Sequence, residues 1–288
     1  MIRGWTLLVA LGAALVSSAG PAAAALPPVA GGPIPTDQER PSTVTTAAVD
    51  ELLELSGLQV QLEAVSAGIR AQFRGREGRL SAQDRATIDR IAARHFGPEV
   101  LYARIRLELG RSLEAATLEE ALAWYRSPLG RRITRVELAA LIPGAEREMS
   151  LPSDERIALV QRLDESGGAS ETTLDLAMAL VRSLVRAADP FRPEPTRVGS
   201  AALESLIART RTEALAPIKM ACLLNMLFAY DELHDAELAE YVRFVESRAG
   251  RWYMTTMNNA LVSAVSMAAE LAAVELVTLV PQLSGDLR

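Results

Sequence analysis

The stretch "WYRSPLGRR", residues 124–132, decides how this chain is built. Two aromatic residues run into Ser127, Pro128 and Gly130, and two arginines follow. The residue before a proline disfavours the helical conformation. Serine is a good N-cap, and proline suits the first position of a helix. The stretch therefore predicts one helix ending near Arg126 and another starting near Pro128. Gly130, with no side chain, is expected to let a neighbouring helix approach, with Trp124 and Tyr125 packed at the corner.

The corner has a second copy 120 residues on. "TLEEALAWYRSPLGRRIT" (117–134) lies over "ELAEYVRFVESRAGRWYM" (237–254) without a gap. Leu118, Glu120, Ser127, Gly130 and Arg131 match Leu238, Glu240, Ser247, Gly250 and Arg251. Trp124 faces Phe244. Arg248 replaces Pro128, so the cap is expected to survive and the rigidity of the corner to relax. At the same offset two apolar helices, 101–113 and 221–233, also coincide. The reading is an internal duplication into two related helical halves, 44–166 and 167–288. Its period is too long for a small solenoid unit.

Other segments support an all-α chain. Val49, Leu52 and Leu53 precede Gly57 as a stop, and Leu58, Leu62, Val65 and Ile69 continue at helical spacing. Ser81 with Asp84 predicts an N-cap, and Gly97-Pro98 a helix junction. Thr117 with Glu120 has the pattern of a capping box. "ESGGAS" (165–170) and "ADPFRPEPTRVGS" (188–200) read as loops. The one strand candidate, "VELVTLV", continues a helical pattern.

The N-terminus reads as a secretory signal over residues 1–25. It has Arg3, an apolar core from Trp5 to Ser17, and a small-residue run ending at Ala24 or Ala25. A Pro/Gly-rich tether, 26–43, follows. The expected location is outside the cytoplasm, periplasmic or secreted. The net charge of −6 at pH 7 argues against nucleic acid as a partner. Cys222 is the single cysteine, in an apolar context, and is expected to be a buried, inert thiol. Lys219 is the single lysine.

Chemistry-bearing sets are sparse. Asp231, His234 and Asp235 could share a face and touch a metal, but a solvated turn suits them better, with Asp235 as an N-cap. His95 stands at a helix end. Glu119, Glu120 and Glu240 read as capping or surface residues. There is no Gly-rich phosphate loop, G-x-S-x-G or H-E-x-x-H motif. The reading therefore calls for no catalytic residue, cofactor or metal. One candidate site remains: Ser127, Arg131, Arg132, Ser247 and Arg251, as helix starts that bind an anion or a partner. Met220, Met226, Met254, Met257 and Met267 read as core. The last helix has a narrow polar stripe (Thr256, Asn259, Ser263, Ser266, Glu270). Its broad apolar remainder predicts burial, a dimer contact or a membrane-surface contact, not a spanning helix.

The aromatic pair followed by Ser-Pro-x-Gly-Arg-Arg, after a helix of the "VDELLELSGL" type, resembles the bacterial family called domain of unknown function 2059. The resemblance covers about residues 47–140 and is weaker in the second half. It implies an exported, all-helical envelope protein and brings no catalytic residues or cofactor. The function expected is non-enzymatic, through an envelope protein partner, a homodimer or a structural role. A carrier or sensor of a small apolar or amphipathic ligand is the alternative, and a hydrolytic enzyme is the least favoured.

Overall fold

The computed structural model describes residues 43–74, 81–112, 114–142 and 151–279. The expected signal, and the tether up to residue 42, lie outside the described residues, as does the break at Pro143-Gly144. Among the described residues there is no strand. The helices are α1 (Thr43–Leu55), α2 (Leu58–Arg74), α3 (Ala82–Phe96), α4 (Pro98–Arg111), α5 (Ala115–Arg126) and α6 (Pro128–Ala139). They continue as α7 (Asp154–Gly167), α8 (Ala169–Ala188), α9 (Gly199–Ala229), α10 (Asp235–Glu246) and α11 (Arg248–Leu279).

Short joints link the helices in pairs. Gly57 joins α1 to α2 and Gly168 joins α7 to α8, both at φ +69°, where a side chain would be strained. "ESGGAS" is therefore not a loop but a one-residue joint. Its tightness comes from Asp164, whose buried carboxylate accepts the Ser170 amide (2.8 Å) and hydroxyl (2.6 Å) and so caps α8. Ser81 is the expected N-cap, and with Asp84 it forms a full capping box; Pro98 opens α4 after Gly97. The box expected at Thr117 is absent. Helix α5 already starts at Ala115, and Thr117 is buried inside it beside Leu118.

The two corners have one geometry. Ser127 Oγ accepts the Gly130 amide at 2.9 Å, and Ser247 Oγ accepts the Gly250 amide at 3.0 Å. The second corner keeps its shape without proline, because the serine cap and the glycine suffice. The close approach at Gly130 is to its own preceding helix, not to a neighbour. A Cβ there would overlap the Trp124 carbonyl oxygen, and one at Gly250 the Phe244 carbonyl oxygen.

Packing recurs around the corners. Helix α1 lies on α5 and α4, and α7 lies on α10 and α9. Helix α2 lies against α3 and α4, and α8 against α9. The long α9 thus takes the place of α3 and α4, with Pro217 at the position 120 residues after Gly97. Helix α7, placed in the first half by the sequence division, packs with the later helices. One ion pair recurs with its charges exchanged. Arg126 on α5 meets Glu51 on α1 (2.6 Å), whereas Glu246 on α10 meets Arg162 on α7 (2.7 Å).

Helix α11, about 48 Å long at 1.5 Å per residue, makes the core continuous. It packs on α3, α4 and α5 on one side and on α7, α8 and α10 on the other. Both α11 and the segment Glu194–Ala229 are long and apolar enough to cross a membrane by length and composition alone. Small residues, including Ala260, Ala264, Ala268 and Ala272, let the neighbours of α11 come close.

The methionine expectation holds in part: Met226, Met254 and Met257 are buried, while Met220 and Met267 are 57% and 50% exposed. On α11, Leu261 and Val265 are buried, but Leu271 and Val274 are exposed with Met267. Gly250→Ala is expected to lower unfolding free energy by about 1–3 kcal/mol through overlap with fixed backbone. Gly110→Ala, with nothing within 4 Å of its Cβ, should raise it by about 0.5–1 kcal/mol. Urea midpoints of the two variants check both signs.

Candidate functional site

Several corner residues link segments that are distant in sequence. Arg132 donates to Glu237 Oε1 (2.5 Å) and to the Glu232 carbonyl (3.0 Å). Trp252, 120 residues after Arg132, donates through Nε1 to the carbonyl of Ser112 (3.1 Å), which lies 120 residues before Glu232. The two contacts are reciprocal, as in an isologous interface. Arg248 pairs with Glu114. Arg251 donates to the Glu246 carbonyl, and Arg131 is exposed. Ser127 and Ser247 each serve their own helix start. Ser127, Arg131 and Arg132 stand at the first helix start and Ser247 and Arg251 at the second, and Arg132 and Arg251 already bind protein oxygens.

Between the corners lies a run of aromatic rings. Trp124 stacks on Phe244 with centroids 4.4 Å apart and planes 6° apart. Tyr241 lies 6.0 Å from Trp124, nearly parallel. Tyr125 meets Tyr253 at 5.1 Å, edge to face.

Under these rings is a buried acid that sequence reasoning missed. Glu137, on α6, is 9% exposed. Its Oε1 accepts the hydroxyls of Tyr230 (2.6 Å) and Tyr241 (3.0 Å). Four of the five tyrosines of the chain, at 125, 230, 241 and 253, are buried in this region. Burial first, and then the Glu137 charge, push the Tyr230 and Tyr241 hydroxyls well above their ordinary range. Burial and the neighbouring tyrosines do the same for Tyr125. All three stay neutral donors at physiological pH. The signal for Glu137 was present in the sequence. It follows Gly130, Ile133 and Thr134 on the buried stripe of α6 at helical spacing, where a carboxylate is costly unless it has partners.

Glu137 opens onto a pocket of about 40 Å³ between α1–α2 and the α10–α11 side. Ser56, Gln61, Asn258, Tyr125, Tyr241 and Tyr253 supply its polar wall. Leu58, Leu62, Val65, Met254, Met257 and Leu261 supply the apolar one.

Other candidates resolve into structural pairs. Asp235 meets Arg156, and the His234 amide donates to Glu237 at 2.9 Å, so His234 and not Asp235 is the N-cap of α10. His95 and Arg94 meet Glu275, tying α3 to α11. No three His, Cys, Asp or Glu side chains converge among the described residues. Cys222 is buried, and burial raises its thiol pKa.

The chain is similar to a family described as "Uncharacterized protein conserved in bacteria (DUF2059)" over residues 103–147. That span holds α5, the first corner and Glu137, and is narrower than the resemblance read from the sequence. Neither curated proteins nor solved structures gave a match.

Alkali is expected to unfold the protein through this region. The folded tyrosine pKa values lie above the unfolded value of about 10. Their contribution is complete below that pH and is lost as the pH rises through the folded values. Tyrosinate absorbance should therefore show Tyr125, Tyr230 and Tyr241 ionising only with cooperative loss of helix. Early, independent ionisation of all five tyrosines would contradict it.

Proposed function

We propose that this is an exported, non-enzymatic protein that binds a small molecule at the Glu137 pocket, where two duplicated halves meet. The observation that carries the reading is the pocket itself. It combines one buried carboxylate, neutral tyrosines and an apolar wall, as ligand sites do. No acid–base or nucleophile set stands with Glu137, whose held oxygen is occupied by two tyrosine hydroxyls. That favours binding over catalysis.

The duplication is supported by the two serine–glycine corners, the charge-exchanged ion pair and the reciprocal Arg132 and Trp252 contacts. Export is supported by the signal-like pattern of residues 1–25. A second reading is contact with an envelope protein, a second copy or a membrane surface. The exposed Met267, Leu271 and Val274 on α11 favour it.

Cell fractionation with N-terminal sequencing should find a chain beginning after Ala24 or Ala25 outside the cytoplasm. Native mass spectra of the gently purified protein should carry a bound small molecule, lost in a folded Met257→Trp variant. A cytoplasmic chain starting at Met1 would overturn export. A ligand retained in Met257→Trp would overturn the pocket as its site.

A further inference from the structure

We propose that the Glu137 pocket takes the primary ammonium end of a small organic cation. The inference rests on the reading that this pocket binds a ligand, and it assigns the ligand class from charge and hydrogen-bond inventory.

The charge is one-sided. Among the described residues, Glu137 is the only carboxylate that lines the pocket, and no Lys, Arg or His lines it. Both polar contacts to its Oε1 come from neutral phenols. Two such donors recover part of the cost of burying a carboxylate, and a cation in contact recovers much more. An anionic ligand would meet Glu137 as a like charge.

The hydrogen-bond inventory leans the same way. The Gln61 amide donates to the Ser56 carbonyl (3.0 Å), and the Asn258 amide donates to the Gly167 carbonyl (2.8 Å). The Ser56 hydroxyl donates to the Leu53 carbonyl (3.0 Å), and Tyr241 donates to Glu137. One N–H of each amide, and the hydroxyls of Ser56 and Tyr241, are thus turned to protein acceptors. Beside the second N–H of each amide, the wall offers acceptor capacity in the carboxylate, two amide oxygens and a hydroxyl oxygen, and the carboxylate carries the charge. A ligand that complements it brings N–H donors. An ammonium brings three, with the charge.

The remaining wall suits a cation with a short apolar stem. Tyr125, Tyr241 and Tyr253 line the pocket, and the face of an aromatic ring attracts an ammonium group. Met254 and Met257 add polarisable thioethers. The volume of about 40 Å³ fits a head of a few heavy atoms, not a whole drug-sized ligand.

The test compares two small molecules of equal size on the full mature protein. n-Propylammonium chloride and 1-propanol are titrated at constant ionic strength, and the methyl NMR signals of Met254 and Met257 are followed. n-Propylammonium is expected to bind at least about tenfold more tightly than the alcohol. Glu137→Gln, checked for fold by circular dichroism, is expected to bring the two to parity. Equal binding of both molecules to the wild-type protein overturns the cation assignment and leaves the pocket as a ligand site. Binding of neither overturns both. This comparison needs no variant, so it holds even if Glu137→Gln fails to fold. Vesicles with and without phosphatidylethanolamine separate a lipid headgroup from a free amine. Ethanolamine-lipid binding lost in Glu137→Gln supports the ammonium through a lipid, and propylammonium binding alone supports it through a free amine.

Discussion

The whole arrangement hangs on a backbone contact too close for any side chain. At each corner the carbonyl of an aromatic residue, Trp124 or Phe244, sits where a Cβ of Gly130 or Gly250 would be. That approach lets a serine close the next helix start within one residue. From the first corner, α6 leaves at the angle that sets Glu137 beneath the tyrosines. From the second, α11 leaves along the path that packs it against both the earlier and the later helices. Loosening either corner would therefore move the pocket walls, although neither glycine touches the pocket.

Burial then determines the chemistry of the region. Glu137 is tolerated because Tyr230 and Tyr241 donate to it, and those phenols stay neutral because they are buried beside it. Several charge pairs elsewhere are about half-exposed, such as Arg126 with Glu51 and Arg162 with Glu246. Such pairs are individually worth about 0–1 kcal/mol. They guide which helices meet, while the continuous apolar core supplies the stability.

The parts of the fold legible in the sequence were those written in neighbouring residues. The corner at Ser127, the stop at Gly57, the cap at Ser81 and the junction at Pro98 each rest on a few adjacent side chains. Three kinds of feature were not legible. The joint at Gly168 depends on Asp164 reaching across to Ser170, which a glycine-rich string disguises as a loop. The exposed faces at Met220 and Met267 are wider than the polar residues beside them, such as Lys219 and Glu270, so the polar stripe alone did not show how far the outer side extends. The pocket joins Glu137 to tyrosines about a hundred positions away, and no spacing rule links such distant residues. The lone acid in the apolar stripe of α6 was its one local trace.

Glu137 and Met257 stand 120 residues apart, at matching positions of the two corner helices, and both line the same pocket. In an assembly of two identical chains, each copy would bring the same residue to that meeting point. Two carboxylates would then repel across it, or two thioethers would leave it without charge. Within one chain the two corner helices carry different residues at these positions. One brings the acid and the other a soft, neutral wall, so two like corners hold a polar, one-sided site.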